Sequence, residues 1–346
     1  MGSTRTKMMR YSIILFMLLS HIGFGQSVEE LEKYFTGDVI WQEKEATLYF
    51  TKDGTFDFPN RPDYHRHRWS VPEEVKKIII KENTKVTGFF HIFDNCTIEG
   101  ENQETSIIYG TSVKNLLRSE GLDANGGSPP YSAIYGKGEI VIHVNNLTVL
   151  NPFAFMFTGK DGAVFHLYKC RGIDNRGGHH NHSDGVSADD GTTVRECYFE
   201  AGDDVIKVYH DIYVENTTIK MITNTVPIQL GWGSYGSGAV GVFKNLTVIG
   251  DKGRGSTGNA LVDARYGAYD KTLIFEGLEF KNPNGVLFDF WNEPKQGKSG
   301  GHVTIRMNDV DLAFSEFQKR WNMSVDLEIC GEKYSKDNDK SRIKCR

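Results

Sequence analysis

The chain has 346 residues and a formal net charge of −5 at neutral pH, from 40 basic and 45 acidic side chains. This acidic balance argues against nucleic acid as a partner, because binding to phosphate groups needs an excess of lysine and arginine, and it is neutral about sugars. The length alone fits one large domain or two smaller ones.

The N-terminus has the composition of a secretory signal peptide. Three basic residues precede an apolar run from Tyr11 to Leu19, and small residues follow up to Gly25. The run is too short for a membrane span and no cysteine follows it, so we predict a leader over residues 1–25 without a lipid anchor. The mature protein is then secreted or periplasmic, and its net charge becomes −8 once the three basic residues are lost. No second apolar stretch is long enough to cross a membrane, so no membrane partner is expected.

Residues 26–80 form the next predicted unit, an N-terminal cap. Large aromatic side chains stand within it at Trp41, Tyr49, Phe50, Phe56 and Phe58. Repeat architectures need their open ends covered, so we predict short strands that close one end of the domain that follows.

Residues 81–325 contain a short pattern of alternating apolar and polar residues that recurs along the chain. The equivalent inward positions, as the pattern aligns them, are Leu147, Cys170, Cys197, Thr217, Leu246, Leu278 and Val310. A period of about 20 to 32 residues, with strand-type alternation and glycine and asparagine at the turns, is typical of the coils of a parallel β-helix. We predict an all-β, single-stranded, right-handed parallel β-helix that forms one catalytic domain. Asn146 and Asn245 begin Asn-x-Thr sequences inside this repeat, and we interpret them as turn residues and not as glycosylation sites.

Three cysteines are placed by the same repeat. Cys96, Cys170 and Cys197 align with Leu147, so each is expected to point inward as a small apolar side chain. Export permits disulfides, and adjacent coils bring Cys170 near Cys197, but buried free thiols are the favoured interpretation.

The last segment, residues 326–346, is predicted as a charged C-terminal tail. It contains Cys330 and Cys345, which are spaced so that they could close a small loop. The sequence does not decide whether they pair.

A second set of equivalent positions runs through the centre of the repeat. Aligning the strands near residues 186, 206, 228, 262 and 288 places one polar residue of each strand on the outward face: Ser187, Lys207, Gln229, Asp263 and Asp289. We call these five residues the polar column. Aromatic residues follow the same strands, where they are expected either to stack on sugar rings or to pack under loops: Trp232, Tyr235, Tyr266, Tyr269 and Trp291.

Three carboxylates stand at the start of this column. Asp184 lies in Ser183-Asp184-Gly185, and Asp203 and Asp204 lie nineteen residues later in Gly202-Asp203-Asp204, with Lys207 close by. Cleavage of a glycosidic bond by acid and base catalysis requires one carboxyl group that donates a proton and others that stay ionised. Asp203 and Asp204 are adjacent, so regular pleating must break there if both are to reach one cleft. Turn formation is the alternative for Asp-Gly and Gly-Asp-Asp sequences.

At these residues the chain resembles glycoside hydrolase family 49, the dextranase and isopullulanase family, which is related to the family 28 polygalacturonases. Three blocks in order carry the resemblance: Ser183-Asp184-Gly185, the segment from Gly202 to His210, and the segment from Pro227 to Trp232. The Gly-His-Gly motif of the polygalacturonases is missing from the sequence, and Arg-x-Lys occurs only at residues 5–7 and 342–344, in the predicted leader and the charged tail, which disfavours galacturonan as the substrate.

The resemblance implies a pectin-lyase-like β-helix and an inverting hydrolase without a cofactor. It assigns Asp203 as the general acid, and Asp184 and Asp204 as the groups that activate water. The polar column and its neighbours supply the predicted substrate-binding residues: Lys207, Tyr209, Gln229, Trp232, Asp263, Asp289 and His182. His179, His180 and His182 lack a cysteine or carboxylate at zinc spacing, so no metal is expected. The expected partner is a polysaccharide or oligosaccharide.

Two other functions remain open at this point. A polysaccharide lyase acting on a uronate polymer would use a basic residue to remove a proton, and Lys207, Arg254 and Arg265 are available for that role. A non-catalytic carbohydrate-binding β-helix would use the same column without cutting the glycan. The sequence does not specify the glycan, its linkage, its sulfation, the endo or exo mode of action, or the oligomeric state.

Overall fold

The structure is a computed structural model of the chain. It describes residues 26–345 except 60, 62, 115, 120–127, 178–182, 223, 232–237, 251–258, 266–269, 292–300 and 339. The predicted leader lies outside the described residues. No helix in the described part of the chain is both long and apolar enough to cross a membrane.

The described residues form a parallel β-helix, as predicted. Each coil contributes a strand to each of three faces, and each strand pairs in parallel with the equivalent strand of the next coil. The first face contains Thr47–Phe50 (β2), Lys77–Ile80 (β5), Cys96–Gly100 (β8), Val141–Asn145 (β11), Val164–Tyr168 (β14), Thr192–Arg195 (β17), Ile212–Glu215 (β20) and Ser324–Ile329 (β29). The second contains Gly54–Thr55 (β3), Thr84–Thr87 (β6), Ser106–Tyr109 (β9), Thr148–Leu150 (β12), Arg171–Ile173 (β15), Tyr198–Glu200 (β18) and Thr218–Met221 (β21).

Three longer strands, Val240–Gly250 (β23), Lys271–Lys281 (β25) and His302–Ala313 (β27), run through both of these faces. The third face is a separate ten-stranded sheet that carries the candidate site. It contains Arg68–Ser70 (β4), Phe89–Ile92 (β7), Ile134–Lys137 (β10), Phe157–Lys160 (β13), Val186–Ser187 (β16), Asp204–Lys207 (β19), Val226–Leu230 (β22), Ala260–Ala264 (β24), Val286–Phe290 (β26) and Glu316–Trp321 (β28).

The inward positions of the repeat stack as predicted. Leu246 pairs with Leu278, and Leu278 with Val310, while the register of the earlier coils places Leu147, Cys170 and Cys197 in the same row. These apolar side chains belong to one continuous core enclosed by the three faces. Each coil therefore buries its apolar residues against the coils before and after it, which is how a repeat protein obtains a core.

A left-handed residue marks the corner between the first and second faces in coil after coil. The backbone φ is +55° at Asn146, +48° at Asn216 and +51° at Asn245, and Gly277 takes the same place with φ +81°. Asparagine and glycine tolerate this conformation better than other residues. The interpretation of Asn146 and Asn245 as turn residues is confirmed.

The three cysteines of the helical domain are free and buried, as expected. Cys170 and Cys197 occupy the predicted row, but Cys96 does not. It pairs with Ile142 at the start of the first face, one strand earlier in the coil than Leu147. The resemblance between the sequences around Cys96 and Leu147 misled the alignment, because the corner of that coil lies after Gly100.

Both ends of the β-helix are covered. At the N-terminal end, Val28–Tyr34 (α1) buries Val28 and Leu31, and Val39–Gln42 (β1) pairs antiparallel with β2. At the C-terminal end, Glu332–Tyr334 (β30) and Arg342–Cys345 (β31) pair antiparallel with β29 and β27, and Cys330 forms a disulfide with Cys345. Parallel pairing begins between β2 and β5, within the segment assigned to the cap, and the assigned tail continues the sheet.

A short helix outside the main core lies over the third face. Leu116–Ser119 (α2) packs Leu116 and Leu117 into a small apolar cluster with Phe89, Tyr131 and Phe153. Phe155 lies at the edge of this cluster, next to the strands that carry the carboxylates. The segment that contains α2 thus forms a wall on one side of the candidate site.

Candidate active site

The structure brings Asp184, Asp203 and Asp204 together. One carboxylate oxygen of each lies within 4.8 Å of the other two. Asp184 lies two residues before β16 and Asp204 begins β19, and the two strands are neighbours in the third face. Asp204 and Lys207 are three residues apart yet their charged groups lie 3.5 Å apart, so the backbone departs from regular alternation at the start of β19. The expected break in pleating is therefore present.

Lys207 provides the positive charge of the site. Its ammonium group donates a hydrogen bond to Asp184 and lies 4.8 Å from the ring centroid of Phe155. The side chains of Lys207 and Asp184 are only 11% and 6% exposed, so water screens this ion pair weakly. Burial alone would lower the pKa of Lys207, but Asp184, Tyr209 and Asp204 raise it well above its ordinary value. Lys207 therefore stays charged at neutral pH.

The pKa values of Asp203 and Asp204 are both raised above that of an ordinary aspartate. Burial and the negative charge of Asp184 raise the pKa of Asp203 well above its usual range. Burial and the charge of Asp203 raise the pKa of Asp204 in the same direction, against the attraction of Lys207. A cluster of three carboxyl groups around one ammonium group therefore holds at least one proton more readily than isolated aspartates do.

Ser183 connects the coil of Asp184 to the coil of Asp203. Its hydroxyl oxygen accepts a hydrogen bond of 2.8 Å from the backbone N–H of Gly202, and its carbonyl oxygen accepts one of 3.3 Å from the N–H of Asp203. Ser183 is buried, with 1% of its surface exposed. Ser183 directly precedes Asp184 in the chain, and it accepts hydrogen bonds from the backbone of Gly202 and Asp203. Its position therefore sets the spacing between the carboxylates of Asp184 and Asp203.

A buried ion pair supports Ser183 from the preceding strand. The Ser183 hydroxyl donates to Asp174, which also accepts two hydrogen bonds, of 3.0 and 2.6 Å, from the guanidinium of Arg176. Arg176 also donates to the carbonyl oxygens of Thr111 and Val113, in the segment that leads into α2. The same network therefore fixes the carboxylates and the wall beside them.

The register of the polar column is confirmed. Lys207 pairs with Gln229, Gln229 with Asp263, and Asp263 with Asp289. The expectation that this face is exposed to solvent is wrong, however. Gln229, Asp263 and Asp289 are 0%, 1% and 2% exposed, and arginine side chains pair with both aspartates, which a pattern of alternation alone does not reveal.

Gln229 lies in the middle of the column without a hydrogen-bonding partner. Both its amide nitrogen and its amide oxygen are buried and unpaired among the described residues. A buried amide without a partner costs about 1 to 3 kcal/mol, so such a group is expected to meet a ligand or an ordered water. Its neighbours on either side are Lys207 and Asp263, which places it next to the carboxylate cluster.

The last two residues of the polar column, Asp263 and Asp289, each form an ion pair with an arginine. Arg265 holds Asp263 through two hydrogen bonds of 2.7 and 2.8 Å, and Arg320 holds Asp289 in the same bidentate manner. The indole of Trp291 lies between the two guanidinium groups, 4.6 Å from Arg265 and 4.1 Å from Arg320. Trp291 therefore packs in a charged stack instead of presenting a ring to a sugar. Burial raises the pKa of Asp263 to about 6 despite its pairing with Arg265.

The remaining predicted contacts fall into two groups. Tyr209 is buried, its hydroxyl donates to the carbonyl of Gly231 over 3.4 Å, and its ring lies 5.8 Å from the Lys207 ammonium. Tyr209 therefore supports Lys207 from a buried position. Several predicted residues lie outside the described residues: His179, His180, His182, Trp232, Tyr235, Arg254, Tyr266 and Tyr269.

Two groups of described side chains have the spacing of metal ligands. One contains Asp184, Asp203 and Asp204, where the Lys207 ammonium already supplies a positive charge, and the other contains Asp189, Asp190 and His210. In the second group Asp189 accepts backbone hydrogen bonds from Gly162 and Asp190, which is the behaviour of a turn.

Sequence reasoning missed the arginines that hold the site. Asp174 and Arg176, like Asp263 and Arg265, stand two residues apart, and side chains at that spacing on a strand share a face, so this signal was available. Arg320 gave no such signal, because it comes from the next coil and reaches Asp289 where the register of β28 is irregular. No sequence pattern marked Phe155 as a site residue, because its contact with Lys207 is seen only in the structure.

Comparison with known proteins was made against this geometry. The dextranase of Arthrobacter sp. (strain CB-8) is 26% identical over 217 residues, and that of Arthrobacter globiformis is 24% identical over 216 residues. The chain resembles these dextranases, as the sequence motifs indicated. Each match covers 59% of this chain, which spans about a third of the length of either relative (32%). No protein-family model matches.

Among solved structures, Dex49A from Penicillium minioluteum is 12% identical to the chain. The superposition covers 76% of this chain and 54% of that protein, with a TM-score of 0.43. The assignment of the fold rests on the parallel register described above.

Proposed function

We propose that the protein is an exported glycoside hydrolase that degrades a polysaccharide, with a dextranase-like site. The observation that carries the proposal is the cluster of Asp184, Asp203 and Asp204 around the Lys207 ammonium, in the face of the sheet where the polar column begins. Cleavage of a glycosidic bond needs a carboxyl group that keeps its proton beside carboxylates that do not. The similarity to the Arthrobacter dextranases supports the same chemistry.

The electrostatics support a division of roles. Burial and Asp184 raise the pKa of Asp203, so its carboxyl group holds a proton more readily than an ordinary aspartate and can give it to the leaving oxygen. Asp184 contacts the Lys207 ammonium, which favours its ionised form. We assign Asp203 as the general acid and Asp184, with Asp204, as the group that activates water; the pKa of Asp204 is raised in the same direction as that of Asp203, so the role of Asp204 is proposed from the resemblance to family 49 alone. Gln229 is the candidate contact to a substrate hydroxyl.

The stereochemical course is proposed from the resemblance to family 49 and not from the geometry. Inverting glycosidases usually separate the two carboxyl groups by about 6.5 to 9.5 Å to admit a water, and retaining ones by about 5 to 5.5 Å. The oxygens of the three aspartates lie within 4.8 Å. We nevertheless propose inversion, and NMR of the first product tests it: the anomeric configuration of that product is expected to be opposite to that of the bond cleaved. A product of retained configuration refutes inversion without refuting hydrolysis.

The lyase alternative has less support in the described residues. Lys207 is held as an ammonium group by Asp184, and Arg265 is engaged with Asp263 through two hydrogen bonds. Neither is disposed to remove a proton from a uronate. Export is supported by the Cys330–Cys345 disulfide, because disulfides persist mainly in oxidising compartments.

The test is release of reducing ends from dextran and from a panel of neutral, uronate-containing and sulfated glycans. We expect new reducing ends from at least one glycan, and their loss in Asp203→Asn. Asp190→Asn is the matched control, because Asp190 is an exposed aspartate in a turn of the same coil. Ultraviolet absorbance from a new double bond would instead establish a lyase, and binding without any product would establish a carbohydrate-binding protein.

A further inference from the structure

Two arginines stand at the N-terminal end of the sheet that carries the active site. Arg68 begins β4 and shares the outward face of that strand with Ser70, which is two residues later. Ser70 pairs with His91, and His91 with Tyr135, so the outward row that becomes the polar column starts here. Arg61 approaches from the preceding segment and donates a hydrogen bond of 2.9 Å to the carbonyl of Arg68.

Neither guanidinium group makes an ion pair with a carboxylate among the described side chains, and Arg61 is attracted by Glu30 only at longer range. Arg68 donates to Nδ1 of His65 over 3.3 Å, and its Nε is buried without a hydrogen-bonding partner. Burial lowers the pKa of both arginines, and the charge of Arg68 lowers the pKa of Arg61 further.

Three other arginines of the described chain are each held by an aspartate, and Arg61 and Arg68 lack such an ion pair among the described side chains. Arg176 is held by Asp174, Arg265 by Asp263 and Arg320 by Asp289, in each case through two hydrogen bonds.

A buried or half-buried charge is normally paired, because leaving it alone costs more than the pair gains. A guanidinium fork matches the paired oxygens of a carboxylate or a sulfate ester. Two adjacent forks without an acid are thus suited to an anion that comes from outside the chain.

We propose that Arg61 and Arg68 form a binding site for an anionic group of the glycan, a carboxylate or a sulfate ester. The site rests on the proposed function, since it assumes a glycan that extends from Asp184 toward this end of the sheet, over the segment that buries His91 and Thr158. β4 is four coils from β16, which corresponds to about 19 Å at a coil spacing of ~4.8 Å. An anionic substituent several sugar rings from the cleaved bond would therefore reach both arginines.

The experiment compares Arg61→Gln and Arg68→Gln with the wild-type protein and with Arg66→Gln. Arg66 is the matched control, because it is an exposed arginine of the same segment and is already paired with Asp57. Binding of neutral, uronate-containing and sulfated oligosaccharides is measured by calorimetry in an Asp203→Asn background, so that nothing is cleaved. Melting curves identify any variant that has lost its fold, and two separate arginine variants keep the test decisive if one of them does.

We expect the wild-type site to prefer one anionic class over the neutral oligosaccharide, which also distinguishes a carboxylate from a sulfate ester. Each folded arginine variant is expected to bind that class at least about tenfold more weakly, since each loses a charge-assisted hydrogen bond, while Arg66→Gln is unchanged. Equal binding by all four proteins, or a preference for the neutral sugar, would overturn the proposal. If binding falls as expected but the active enzyme cleaves no glycan, the anion site stands and the proposed hydrolase fails. If the active enzyme cleaves a glycan but neither arginine variant changes that cleavage, the proposed hydrolase stands and the anion site fails.

Discussion

Replacing Lys207 with methionine removes the ammonium group that contacts the carboxylate cluster and keeps a side chain of similar length. The side chains of Asp184 and Asp204 are only 6% and 8% exposed, so two carboxylates are left in a site that water barely reaches. Breaking a buried ion pair by removing one partner costs about 3 to 5 kcal/mol. We expect the free energy of unfolding to fall by about that amount at pH 7.

The deficit is expected to depend on pH. The raised pKa of Lys207 means that its stabilising contribution is complete below the ordinary lysine pKa and is lost as the pH rises through the folded value. The pKa of Asp204 is also raised, so its protonated form is the one the folded state favours. Without Lys207 this preference grows, and the variant gains protons as the pH falls. The difference from the wild type is therefore largest at neutral pH and shrinks toward pH 4.

The assay is equilibrium unfolding in urea, for the wild type and the variant, at several pH values between 4 and 8. Lys244→Met is the control: Lys244 forms an exposed pair with Glu276 at 3.0 Å, and such pairs contribute less than about 1 kcal/mol. A second control, Lys207→Met with Asp184→Asn, is expected to recover part of the loss because the stranded charge is gone. A loss for Lys207→Met as small as that for Lys244→Met, and independent of pH, would refute the buried, charge-balanced site.

Three further substitutions test the network, the column and the fold. Ser183→Ala removes the acceptor of the Gly202 N–H, so we expect the free energy of unfolding to fall by about 1 to 3 kcal/mol. Because the carboxylates lose their spacing, kcat is expected to fall by a larger factor than KM rises. An unchanged kcat would contradict the positioning role of Ser183. Gln229→Ala removes a buried, unpaired amide, and the desolvation cost that is relieved offsets the cost of the cavity that is created. The free energy of unfolding is therefore expected to change by less than about 1 kcal/mol, while KM rises about fivefold. A large loss of stability with a normal KM would place Gln229 in the core alone. Asn245→Ala is expected to cost about 1 kcal/mol in urea unfolding and Asn245→Gly less, because φ is +51° there; the reverse order would contradict the left-handed corner.

The parts of the fold that follow from local periodicity were predictable. A row such as Leu246, Leu278 and Val310 is visible in the sequence because every coil must bury one residue at that position. The asparagine corners are visible for a similar reason, since few residue types tolerate a positive φ. Where the corner is displaced, as near Cys96, the same pattern gave the wrong strand.

The site was predictable only in part. The three aspartates and the register of the polar column follow from strand alternation, so their proximity was expected. The burial of Gln229 and the pairing of Asp289 with Arg320 depend on loops and on an irregular strand in another coil, and no local pattern encodes such contacts. The same is true of the buried Nε of Arg68, whose lack of a hydrogen-bonding partner among the described residues no local pattern encodes.

The measurement that tests the central claim most directly is the activity of Asp203→Asn on two kinds of substrate. One is the natural polymer, whose leaving oxygen must be protonated, and the other is a glycosyl fluoride, whose departure needs little protonation. If Asp203 is the general acid, the variant nearly loses activity on the polymer but retains more on the fluoride, whereas Asp184→Asn loses both because water must be activated in either case. Equal losses of the two variants on both substrates would contradict the assignment of acid and base on which the account depends.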